Sequence, residues 1–70
     1  MKIRYIHSNE PKKEKIFDTI KSYKNMAWAI NDPETKLYKK TQEEWDESIL
    51  QTFSKDKRNG VVLEYEIIEF

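Results

Sequence analysis

The stretch from Met26 to Tyr38 limits which order of elements this chain can adopt. Large and small residues alternate over Met26-Ala27-Trp28-Ala29-Ile30, which suits a strand with one face on a core. Asn31-Asp32-Pro33-Glu34-Thr35 follows with turn chemistry, since Asp or Asn accepts backbone hydrogen bonds at the first turn position and Pro presets φ at the second. Lys36 to Lys40 then reads as a short return strand. The spacing of Ile16, Ile20, Tyr23, Ala27 and Ile30 also fits one long helix to Asn31. Asn25, the β-suited Trp28 and Ile30, and the turn favour a break near Asn25 and a central β-hairpin.

The flanking segments complete the order. Met1, Ile3, Tyr5 and His7 alternate with Lys2, Arg4 and Ile6, as expected of a half-buried strand. Pro11 suits the first turn of a helix, and Ile16, Phe17, Ile20 and Tyr23 give it an apolar face, with Lys12, Lys13, Lys15, Lys21 and Lys24 outside. Thr41-Gln42-Glu43-Glu44 is a capping box that starts a second helix. In that helix Trp45, Ile49 and Phe53, joined by Leu50, form the buried stripe. Asn59-Gly60 supplies a left-handed end. Val61 to Phe70 is a last strand, with Val61, Leu63, Tyr65 and Ile67 on one face and Val62, Glu64, Glu66 and Ile68 on the other.

The order βαββαβ predicts a single α+β domain over residues 1–70. Its architecture is the ferredoxin-like sandwich, a four-stranded antiparallel sheet with two helices on one face. Right-handed crossovers place the first strand centrally, beside the last. At this length only roughly 60% of the unfolded surface is buried, so the core is thin. No cysteine is present to add a disulfide or a thiolate metal site, and one histidine makes no metal cluster. Stability must come from the nine aromatics, the aliphatics, or association with another chain.

Charge is balanced overall but split along the chain. Residues 1–40 hold ten basic and five acidic side chains; residues 41–70 hold three and eight. Pairing of Lys2 and Arg4 with Glu64 and Glu66 across the first and last strands accounts for much of the split without a ligand. Neither a signal peptide nor a run of roughly 20 apolar residues is present, which predicts a soluble, cytoplasmic protein. Eleven lysines against two arginines, with frequent Ile and Asn, fit AT-rich coding, as in low-GC bacteria and their phages or plasmids.

No catalytic constellation is expected. His7 and Ser8 are neighbours whose side chains point to opposite faces of a strand, so they cannot act as a nucleophile and base. Glu43 and Glu47 complement the helix dipole rather than hold a cation. Gly60, the only glycine, makes no phosphate loop, and no cofactor or small-molecule substrate is evident.

Two binding classes remain. Ile6, Val62, Ile68 and Phe70 fall on the sheet face away from the helices, which marks a surface for another protein or for a second copy, with a homodimer the simplest case. The edge strand Met26–Ile30, without proline or internal charge, adds to that reading. The alternative is nucleic acid held by Lys12, Lys13, Lys15 and Lys21 on the first helix, which would contact phosphates without reading sequence. An open face with Tyr38 as its only stacking residue, and with Glu64 and Glu66, argues against RNA recognition on the sheet.

Overall fold

A computed structural model describes residues 1–70. The elements in chain order are β1 (Lys2–His7), β2 (Lys15–Asp18), α1 (Thr19–Asn25), α2 (Ala27–Ile30), α3 (Gln42–Arg58) and β3 (Val62–Glu69). The fold is α+β, with a three-stranded antiparallel sheet in the order β2-β1-β3. Two features of the ferredoxin-like expectation hold: β1 is central, and β3 lies antiparallel beside it. The four-stranded sheet does not form.

The first departure comes after β1. The expected helix from Pro11 is replaced by a loop and by β2. Glu10 N–H and Lys13 N–H close turns onto His7 and Glu10 carbonyls, at 3.0 and 3.1 Å, and Pro11 lies between them. Lys15-Ile16-Phe17-Asp18 then pairs with β1, Phe17 opposite Ile3 and Ile16 opposite Arg4. Ile16 and Phe17 are adjacent, so a strand must separate them onto opposite faces. Phe17 joins the core rim and Ile16 is exposed. The helix starts at Thr19 instead, because Asp18 Oδ1 accepts from the amides of Ile20 and Lys21, at 3.0 and 3.2 Å. Thr19 is fully buried and donates from both its amide and its hydroxyl to the Met1 carbonyl, pinning α1 to the sheet.

The second departure is the central hairpin. The turn is there: Asp32 Oδ1 accepts from Glu34 N–H at 2.9 Å, and the Asp32 carbonyl accepts from Thr35. The strands are not. Met26–Ile30 coils into α2, which buries Ala29 and leaves Trp28 68% exposed. Lys36–Lys40 is a run of turns in which Lys39 takes a left-handed φ of 59°. Alternating alanines satisfy a helix as readily as a strand, and alanine favours the helix. The Tyr23 hydroxyl donates to the Lys40 carbonyl and holds this segment against α1.

The second long helix follows its sequence signals closely. Thr41 Oγ1 accepts from Glu44 N–H at 3.2 Å, while Glu44 Oε1 accepts from Thr41 N–H at 3.0 Å. At the other end Gly60 takes φ +77°, with Val61 N–H on the Asp56 carbonyl and Gly60 N–H on the Lys57 carbonyl, which is a Schellman motif. Phe53 is the helix's central anchor. Its ring meets Tyr5 at 5.0 Å, Tyr65 at 5.6 Å and Phe17 at 5.9 Å, over Met1, Ile3 and Val62. Trp45 stands apart from that cluster: it is half-buried, edge-on to Tyr23 at 6.3 Å, and its indole N–H donates to Ser22 Oγ at 2.9 Å. It fastens α1 to α3 rather than filling the core.

Three carboxylates help to fix these joints. The Lys15 ammonium holds the Glu10 carboxyl below its ordinary range. Amides of Lys21 and Ile20 do the same for Asp18, and the amide and hydroxyl of Thr41 do it for Glu44. Each group binds its proton at higher pH in the unfolded chain than in the folded one. Their stabilisation is therefore present above the ordinary carboxylate range of about pH 4 and is lost as pH falls through it. Thermal melts should give one midpoint from pH 7 to pH 5 and a falling midpoint below about pH 4.5. A midpoint that rises on acidification would contradict these contacts.

Candidate functional site

Along β3 the side-chain alternation is interrupted twice. Ile6 pairs with Glu64 and His7 with Val62, so Leu63 is bulged out; Ile3 pairs with Ile67 and Lys2 with Glu69, so Ile68 is bulged out. Each bulge shifts the alternation by one residue. Val62, expected on the outer face, consequently turns into the core at 3% exposure and is no part of a binding strip. Leu63 and Ile68 become half-exposed, and Phe70, beyond the strand, is 93% exposed. Ile6 is half-buried, opposite Glu64. Of the four expected protein-binding residues, Ile68 and Phe70 are open to a partner, and Leu63 joins them. The signal for Leu63 is absent from simple alternation because a bulge moved it.

The open face of the sheet is an ionic network rather than an apolar strip. Arg4 is at its centre. Its Nε donates to Glu66 Oε1 at 2.7 Å, and its Nη1 reaches Glu64 Oε1 at 3.0 Å and Glu14 Oε1 at 3.3 Å. Its hydrogen bonds to the Glu66 and Glu64 carboxylates push the guanidinium still further above its already high range. Lys2 meets Glu69 at 3.5 Å. The Lys2 and Arg4 pairing with β3 expected from the sequence is thus present, and it is asymmetric. One arginine is shared by three carboxylates, so β3 keeps excess negative charge.

β3 bonds to β1 on one side and to no strand on the other. Its outer edge therefore presents backbone groups over eight residues, with neither lysine nor proline among them. The opposite edge, β2, is only four residues long. The expected edge at Met26–Ile30 does not exist, since that segment is helical.

The lysines of the nucleic-acid alternative do not share a helix. Lys12 and Lys13 lie in the β1–β2 loop, Lys15 on β2 and Lys21 on α1. Glu10 binds both Lys15 and Lys13, at 3.0 and 3.5 Å. Tyr38 lies in the turns after α2, with the Lys39 ammonium 5.3 Å from its ring centre.

One apolar cleft of about 250 Å³ opens between α3 and the β1–β2 side of the sheet. Tyr5, Phe17, Ile49, Phe53 and Val62 line it, with His7, Thr52 and Asp56. His7 Nδ1 accepts from Asn9 N–H at 3.0 Å, and Ser8 N–H donates to the Val61 carbonyl at 2.9 Å. The pair of residues serves the turn after β1. No helix is long and apolar enough to cross a membrane. Compared with family models, curated proteins and solved structures, the chain matches none.

Proposed function

We propose that this domain is a non-catalytic protein-association module whose working surface is the outer edge of β3. The observation that carries this reading is the unpaired edge itself, flanked by Leu63, Ile68 and Phe70. A partner strand added there satisfies the free backbone groups and covers the three apolar side chains, which is recognition by β-augmentation. The thin core adds support, since only six residues are buried and a small domain gains stability from a bound partner.

The test is the variant in which Leu63, Ile68 and Phe70 all become serine. Those side chains are half-exposed or more, so circular dichroism should be unchanged. Partner capture, or self-association in sedimentation velocity at high micromolar concentration, should be lost. A variant that associates as the wild type does would overturn the reading. So would a wild type that neither self-associates nor captures any protein.

A further inference from the structure

We infer that the segment received by β3 is an extended stretch of another protein in which basic and apolar residues alternate. This rests on the reading of β3 as the working edge, and it names the partner's chemistry. The inner side of β3 already shows what the strand pairs with. There β1 presents Lys2-Ile3-Arg4-Tyr5: Ile3 faces Ile67 and Tyr5 faces Tyr65 on the helix side, while Arg4 faces Glu66 and Lys2 faces Glu69 on the open side. A strand on the outer side meets the same two rows, because side chains alternate between faces.

Charge favours that occupant over a second copy paired through the regular stretch centred on Tyr65 or Glu66. Between the two bulges, Glu64–Ile67 keeps a regular register. A two-fold antiparallel pairing of β3 with itself must keep the open face on one side. Centred on Tyr65, it sets Glu64 opposite Glu66 twice; centred on Glu66, it sets that carboxylate opposite its own copy. Like charges directly opposite are destabilising. Glu64 and Glu66 each spend one oxygen on Arg4, and their side chains remain more than half exposed, so a lysine or arginine arriving from the outer side finds an acceptor. Partner arginines and lysines on the open face would complete the charge balance that Arg4 leaves negative.

The experiment uses two short synthetic peptides with the same valine and tyrosine positions, one alternating them with lysine and arginine, the other with glutamate. Each is titrated into isotope-labelled full-length protein and followed by amide chemical shifts. The basic peptide should shift amides of Glu64–Ile67, and its affinity should fall as salt rises. The acidic peptide should leave them in place. Glu64→Gln with Glu66→Gln should weaken the basic peptide by roughly three- to tenfold, the scale of two exposed cross-strand charge pairs. Should that variant lose its fold, the wild-type salt dependence carries the test. Equal binding of both peptides on β3 overturns the inference and leaves the edge reading standing. A sedimenting dimer at neutral pH overturns it in favour of a second copy. Failure of the basic peptide to shift β3 at millimolar concentration also overturns it, whereas the edge reading itself fails when a captured protein leaves the β3 amides untouched.

Discussion

Replacing Phe53 with alanine unfolds this domain at physiological temperature. The ring is 8% exposed and is the one side chain that touches aromatic residues from all three strands: Tyr5, Phe17 and Tyr65. Removing a buried aromatic costs about 3–5 kcal/mol, through lost transfer energy and the cavity left behind. A core in a chain of this length supplies about the same amount in total. Because a cleft of about 250 Å³ already borders the ring, the truncation enlarges an existing void instead of letting the walls close in. Circular dichroism at 37 °C should show loss of the α3 signal, with Phe53→Leu retaining more of it. A Phe53→Ala melt superimposable on the wild type would mean that α3 is not seated on the sheet in this way.

The second large effect separates two neighbours. Val62→Asp should unfold the protein, while Leu63→Asp should shift stability by only about 0.5 kcal/mol, as at ordinary surface sites. Val62 lies in the core cluster with Met1, Ile3 and Phe53, where an aspartate would place its carboxylate among apolar side chains. Burying it unpaired costs on the order of several kcal/mol or forces it to take up a proton. Leu63 sits on the bulge, half in solvent. Strict alternation from Val61 predicts the reverse outcome, so the pair of melts reads the strand register directly.

That contrast also shows what the sequence makes legible. The capping box at Thr41–Glu44 and the Asn59-Gly60 end delimit α3 because caps are local chemistry, visible in four or five consecutive residues. The β1–β3 pairing is legible through its opposed charges, Lys2 and Arg4 against the glutamates of β3. Bulges are not legible, since they arise from how two strands fit together. One inserted residue at Leu63 was enough to carry Val62 from the expected outer strip into the core. The segment from Lys15 to Asn31 departs from its sequence pattern for a different reason. Ile16, Phe17 and Ile20 satisfy a helical period, yet pairing with β1 claims the first two for a strand. Asp18 ahead of Thr19 is the signal that marks the true start, an N-cap within a continuous helical period. The central hairpin failed because its turn is real and its arms are not. Of the candidate site, Ile68 and Phe70 were legible as exposed apolar residues, whereas Leu63 and the excess negative charge around Arg4 required the register.

Hydrogen exchange along β3 reports most directly on the edge as a working surface. In the isolated protein, the amides of Val62–Glu69 that bond to β1 should be protected, and those facing outward should exchange rapidly. With a captured partner bound, the outward amides should become protected while α3 changes little. A partner that binds tightly, protects amides elsewhere and leaves the outward amides of β3 exchanging as before would contradict the edge as the site of association.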